Sequence, residues 1–213
     1  NKSMNQSELY HNNGDGTFTE ISKNLGLNIS GFIKGAVWGD INNDGNIDLY
    51  ISRLGQINLL FVNEGKEKSW KFKERSANAG VQEPINSFPA WFFDFNNDGW
   101  QDIWVSGYDN SSGHVAKDYL GIEHKGESPR LYQNNQDGTF SDVTSLSNLN
   151  HPLLSMGSNY GDLNNDGLIN ILDVVNIINF IVSDEQLLER IKKRSLEESR
   201  ADDSVFEKRL AIY

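Results

Sequence analysis

The sequence predicts a mainly β chain: about three repeats of antiparallel strands, then a short α-helical C-terminal segment. Three observations carry that expectation. The first is repetition within the 213 residues. LYHNNGDGTF at 9–18 returns as LYQNNQDGTF at 131–140, with a weaker copy, LFVNEG, from Leu60. Between these, GAVWGDINNDGNIDLYIS from Gly35 returns as PAWFFDFNNDGWQDIWVS from Pro89 and as GSNYGDLNNDGLIN from Gly157. The two elements alternate with a period of about 50–70 residues, which suits propeller blades or arrays. The second observation is a period of two. Ile47, Leu49 and Ile51 alternate with Asp48, Tyr50 and Ser52, and Ile103 with Val105 does the same, as in a pleated strand with one buried face. The third is a break in composition, since all five Trp and all 19 Gly precede residue 168.

Each element follows in order. Asn-Gly and Asp-Gly pairs at 13–14, 15–16 and 137–138 mark tight turns, because small or permissive residues accept positive φ cheaply. The apolar alternations between such turns are the strands. From Val174 to Val182 apolar residues fall at 174, 175, 177, 178, 181 and 182, a helical rhythm. Ser183 with Gln186 forms a capping box that opens a further helix. From 184 to 213 about half the residues are charged, with neither Gly nor Pro, and Leu187, Leu188 and Ile191 make a narrow apolar stripe continued by Phe206 and Leu210. The expected organisation is 1–168 as β repeats, 161–182 as a loop and helix, and 184–213 as a charged helical tail.

Composition removes several functions. Nineteen Lys plus Arg against 30 Asp plus Glu leave a formal net charge of −11, and such a field repels nucleic-acid phosphate and anionic membrane surfaces. There is no cysteine, which excludes disulfides, thiolate metal sites and a Cys nucleophile. The most apolar run, 174–182, is broken by Asn176 and Asn179 and falls short of the roughly 20 residues that cross a bilayer. The chain starts at Asn1 with neither an initiator Met nor a charged-then-apolar leader, and reads as a processed or excised piece of something longer.

The strongest chemical signal is a spacing that occurs three times: Asp40, Asn42, Asp44, Gly45, Asp48; then Asp94, Asn96, Asp98, Gly99, Asp102; then Asp162, Asn164, Asp166, Gly167, Asn170. Side-chain oxygens at positions 1, 3 and 5 converge when the backbone curls around a point. Glycine at 6 permits the sharp turn, residue 7 (Asn46, Trp100, Leu168) offers its carbonyl, and position 9 closes the ring. An all-oxygen set at flexible distances favours Ca²⁺ over Mg²⁺. Without a cation the carboxylates of one loop repel one another. Up to three Ca²⁺ ions are expected, which would bring the net charge from −11 to about −5. The third loop differs downstream: its twelfth position is Asp173, where the others carry Ile51 and Val105. A carboxylate there, opening a helix, closes a calcium loop in the EF-hand manner.

On these motifs residues 9–168 resemble the FG-GAP or VCBS repeats of integrin-α-like β-propellers. The resemblance implies a partial β-propeller of about three blades. Each blade has four antiparallel strands, with Ca²⁺ in the loop between two of them. It carries over Asp40, Asn42, Asp44, Asp48 and the Asn46 carbonyl as ligands, with their equivalents in the second loop. Residues 161–182, GDLNNDGLINILDVVNIINFIV, resemble one calcium repeat of a type I dockerin, a family that binds cohesins through a pair of such repeats. One repeat is present here, so a cohesin-like partner is only half supplied. Residues 184–213 are similar to a segment of adenylate kinases, on LLERIKKR, RADD and KRLAIY. In that family the arginines placed like Arg190, Arg194, Arg200 and Arg209 lie near phosphates. No Gly-rich phosphate loop with its Lys occurs in the chain, so kinase activity is not expected.

Other constellations are weaker. His11, His114, His124 and His151 show no HExxH or HxH spacing and read as ordinary surface or loop residues. No Gly-x-Ser-x-Gly elbow appears. Trp91, Phe92, Phe93, Phe95, Trp100 and Trp104 read as packing between blades rather than as the floor of a glycan site. Residues 107–129 have no counterpart in the other units and read as a surface insertion where recognition could reside. The expected function is a non-enzymatic, calcium-binding, extracellular or cell-surface module of bacterial type, used for adhesion or for recognising a protein or glycan ligand. The alternatives are an accessory propeller region of a secreted glycan-active enzyme and a nucleotide-handling protein.

Overall fold

The computed structural model describes residues 6–65, 69–109, 111–153, 155–158 and 161. Strands β1 (Tyr10–Asn12) and β2 (Phe18–Glu20) form an antiparallel hairpin. Strands β3 (Ile33–Gly39), β4 (Asp48–Arg53), β5 (Leu59–Asn63) and β6 (Phe72–Glu74) then form one four-stranded antiparallel sheet in chain order. Strands β7 (Ser87–Phe93), β8 (Asp102–Gly107), β9 (Arg130–Asn134) and β10 (Phe140–Asp142) repeat it. The expected mainly β architecture is therefore present as two complete blades, with a hairpin that matches the third and fourth strands of a blade. The C-terminal helices expected from residue 174 onward lie outside the described residues.

Sequence repetition becomes register repetition. Leu49 stands opposite Phe61 in the first complete blade, and Ile103 opposite Tyr132 in the second. The single buried face expected for the second strand is corrected: all six residues of β4 and all six of β8 are buried. Alternate side chains of each strand enter different cores. Leu49 and Ile51 pack with Leu27 and Phe61 toward the β1–β2 hairpin, whereas Tyr50 packs with Leu60, Ile103, Val105 and Tyr132 between the blades. Trp104 in turn joins Phe93, Leu131, Val143 and Leu149 on the far side of the second blade. A strand sandwiched between neighbouring sheets has no solvent face, so the residues between its aliphatic ones, Tyr50 and Ser52 in β4 and Trp104 and Ser106 in β8, are buried as well. Ile47, expected to open the alternation, lies in the loop and is half exposed.

Burying polar groups here requires partners. The Tyr50 hydroxyl donates to the Val81 carbonyl at 2.8 Å, and the Tyr132 hydroxyl to the Glu83 carbonyl at 2.9 Å. Ser87 at the start of β7 receives the Arg53 N–H at 3.0 Å and returns its own proton across the inter-blade seam. Gly39 shows the closeness of the packing: a Cβ there would sit 2.6 Å from the Phe92 ring.

Short helical turns α1 (Ser22–Leu25) and α2 (Ser76–Ala79) follow the fourth strands. Each begins where a carboxylate accepts from residue i+2: Glu20 from Ser22, Glu74 from Ser76, and, after β10, Asp142 from Thr144. The hydroxyls of Ser76 and Thr144 then accept the N–H groups of Leu60 and Leu131, holding the turn on the third strand. The insertion at 107–129 carries α3 (Ser112–Tyr119). No helix among the described residues is long and apolar enough to cross a membrane.

Candidate metal centre

The first and second acidic loops join the first strand of each blade to the second, β3 to β4 and β7 to β8. They are built alike, atom for atom. Asp40 accepts the N–H of Asp44 at 3.2 Å and of Gly45 at 2.8 Å. Asp94 accepts Asp98 N–H at 3.0 Å and Gly99 N–H at 2.8 Å. Asn42 and Asn96 accept the same amides of Asp44 and Asp98, while Asp44 and Asp98 accept the N–H of Asn46 and Trp100. The curl depends on left-handed residues: Asn43 and Asn97 have φ of 54° and 58°, and Gly45 and Gly99 have φ of 82° and 84°. Glycine adopts that region without a Cβ penalty, and asparagine tolerates it better than most residues.

Position 9 anchors this curl in the fold. Asp48 is fully buried and accepts Ile41 N–H at 3.0 Å and Asn63 N–H at 2.8 Å. Asp102 does the same with Phe95 N–H at 3.1 Å and Asn134 N–H at 2.8 Å. One carboxylate thus ties the loop's entrance to the end of the third strand. Burial pushes the Asp48 carboxyl up to about 6 against the pull of its two amides, with the charges of Asp44 and Asp40 adding to the rise. Asp102 is pushed up to about 7 for the same reasons, with Asp98 and Asp94 as the neighbouring charges.

A pH dependence follows for the cation-free protein. Both folded values lie above the ordinary carboxylate value near 4, so between them the native state holds protons that the unfolded chain has released. Stability from this source is present below about pH 4 and is lost as pH rises through about 6 to 7. Melting in chelator is expected at a higher temperature at pH 5 than at pH 7.5. Added Ca²⁺, which favours the ionised carboxylates, is expected to erase the difference. A flat profile in chelator, or a rising one, contradicts this.

The loops also touch each other. The Asn43 amide donates to the Gly99 carbonyl at 3.1 Å, and the Asn134 amide donates both to the Ile41 carbonyl at 2.8 Å and to the Gln101 carbonyl at 2.9 Å. Asn134 was not among the residues singled out from sequence. Its signal was the recurrence of Asn12, Asn63 and Asn134 at the end of each LYHN-type strand.

The donor set fits a hard cation: carboxylate, amide and main-chain oxygens only, with each Asp40 or Asp94 oxygen spending one of its lone pairs on an amide. Among the described residues no three acidic or imidazole side chains converge into a ready-made metal cluster. Asp44 and Asp98 instead receive the side-chain amides of Asn42 and Asn96 at 2.9 and 3.0 Å. Asp162, Asn164, Asp166, Leu168, Asn170 and Asp173 of the third loop lie outside the described residues, as do Arg190, Arg194, Arg200 and Arg209.

The remaining candidates divide. Trp104, Phe92 and Phe93 are buried as expected, whereas Trp91, Phe95 and Trp100 are partly exposed. Three of the four histidines, scattered in sequence, gather at the insertion. His114 pairs with the buried Asp109 at 2.8 Å, while His124 and His151 share Asp118 at 3.0 and 2.8 Å. These contacts pin α3 to the end of the second blade, so the insertion is a fastened element.

Two four-stranded blades, each with an acidic loop between its first two strands, define a β-repeat protein of propeller type. The chain belongs to the FG-GAP-like repeat family, whose family model matches residues 2–51 and 94–172. That match runs through the third acidic loop, and the dockerin-like and adenylate-kinase-like resemblances receive no such support. A comparison with curated proteins finds no match.

Proposed function

We propose that the chain is a calcium-binding, non-enzymatic β-repeat module of the cell exterior that recognises a protein or glycan ligand. The observation that carries this reading is the identity of the two loops. Different intervening residues produce the same curl, the same amide donors and the same buried Asp at position 9. Each loop gathers two carboxylates, Asp40 with Asp44 and Asp94 with Asp98, above a buried third, and at neutral pH such charges repel one another. A divalent cation removes that repulsion. Asp40, Asn42, Asp44 and the Asn46 carbonyl would hold it in the first loop with Asp48 beneath, and Asp94, Asn96, Asp98, the Trp100 carbonyl and Asp102 in the second. The Asn42–Asp44 and Asn96–Asp98 contacts would open as the oxygens turn inward. The bound ion would then stiffen the joined end of both blades, keeping the exposed loops beside it in one shape for a ligand.

Calorimetric titration of chelator-stripped protein tests this. Ca²⁺ is expected to bind with a Kd of roughly 1 mM or tighter, and Mg²⁺ more weakly. The Asp44→Ala, Asp98→Ala double variant is expected to lose the binding of both loops. Equal binding by the variant would remove the assignment.

A further inference from the structure

We propose that the first and second acidic loops load calcium cooperatively, each bound cation tightening the other site through Asn43 and Asn134. The proposal rests on the calcium reading above and adds that the two sites respond as one.

Neither asparagine is a ligand in that reading, and each joins the two loops. Asn43 is position 4 of the first loop, between Asn42 and Asp44, and its backbone is left-handed at φ 54°. Its side-chain amide donates to the Gly99 carbonyl at 3.1 Å, across 56 residues of chain. Gly99 is position 6 of the second loop, between Asp98 and Trp100, and its own N–H donates to Asp94 Oδ2 at 2.8 Å. The bond therefore runs from between two ligand residues of one loop to between two ligand residues of the other.

Asn134 makes a second, buried connection. The Ile41 N–H donates to Asp48 Oδ2 at 3.0 Å, and the Ile41 carbonyl accepts from the Asn134 side-chain amide at 2.8 Å. The Asn134 N–H in turn donates to Asp102 Oδ1 at 2.8 Å. Two residues thus link the position-9 carboxylates of both loops. Asp48, Ile41, Asn134 and Asp102 are all buried, where water competes little for such bonds. The same side-chain amide also donates to the Gln101 carbonyl at 2.9 Å, beside Asp102. Both of its protons are then committed, one to each loop.

Binding orders what these bonds connect. A cation in the first loop draws the oxygens of Asn42 and Asp44 inward and fixes the residue between them. Asn43 then holds Gly99, and Asn134 holds Asp102, so the second loop is ordered before its own cation arrives. Less conformational entropy is lost when that cation binds, which is positive coupling without a large movement. Linkage makes the effect equal in both directions. Electrostatics alone gives the opposite sign. A divalent ion among Asp40, Asp44 and Asp48 offsets most of their charge, so loading the first loop weakens the field that attracts the second ion. With coupling through the asparagines, both blades stiffen over one narrow range of Ca²⁺.

Calcium titration of the full chain labelled with ¹⁵N-glycine tests this by NMR, because the Gly45 and Gly99 amides report each loop separately. Asp44→Ala, in the first loop, is expected to weaken binding at Gly99 about 5-fold or more, and Asp98→Ala to weaken binding at Gly45 by the same factor. Asn43→Gly keeps the left-handed backbone and the charge and removes only the amide. On that background both factors are expected to shrink, and with Asn134→Ala added they are expected to approach one. Should Asn134→Ala fail to fold, the Asn43→Gly comparison alone decides. Unchanged or tighter binding at Gly99 in Asp44→Ala, unequal factors in the two directions, or factors undiminished by Asn43→Gly would each overturn the proposal. In those cases the glycines still answer to Ca²⁺, whereas silence at both would remove the calcium reading itself and this proposal with it.

Discussion

Replacing Asp102 by alanine is expected to cost the fold roughly 3–5 kcal/mol, out of the 5–15 kcal/mol that a domain of ordinary stability has. The carboxylate lies fully buried between the loop entrance and the third strand. Its removal orphans the Phe95 and Asn134 N–H groups together, at about 1–3 kcal/mol each. Asp102→Asn keeps one acceptor and replaces the other by a donor facing an N–H, so it is expected to recover less than half of the loss. Asp48→Ala orphans the amides of Ile41 and Asn63 in the same way. Urea unfolding measures both effects as a lowered midpoint at constant slope. A shift under 1 kcal/mol would mean that the buried carboxylate is not the staple described.

Calcium is expected to raise the melting temperature more than any surface substitution would. For each occupied loop, a 100-fold excess over Kd stabilises by about 2.7 kcal/mol, or about 5–10 °C in a chain of this length. With two loops responding, a chelator is expected to lower the transition by 10 °C or more relative to Ca²⁺-saturated protein. The double variant Asp44→Ala, Asp98→Ala is expected to melt at one temperature in both conditions, above that of the chelated parent. It has lost the repulsion that the cation would otherwise have neutralised. Coincident melting curves for the parent with and without Ca²⁺ would contradict this.

The parts of the fold legible in the sequence are those set by local chemistry. Asn-Gly and Asp-Gly turns, the LYHN copies and the DxNxDG spacing located the hairpins and the loops, because turn conformation depends on a few adjacent residues. What stayed hidden depends on neighbours distant in sequence. Tyr50 and Ser52 looked like outward positions of a half-buried strand, since nothing in an alternating strand states that a second sheet will cover its other face. Asp48 looked like one more ligand; that it also bonds the third strand through the Asn63 amide becomes visible only when β5 lies beside β4. His124 and His151 meet on Asp118 across a gap that no short motif spans. The repeated pairs Glu20–Ser22, Glu74–Ser76 and Asp142–Thr144 carry a fainter signal, an acid and a hydroxyl two residues apart, than the acidic loops do.

The proposed function requires cations inside the loops at 40–48 and 94–102. Anomalous scattering from crystals grown in Ca²⁺ tests it directly. One anomalous peak is expected in each loop, within about 2.3–2.6 Å of oxygens from positions 1, 3, 5 and 7. Well-ordered loops with no peak, and with Asp44 and Asp98 still turned to the amides of Asn42 and Asn96, would contradict it.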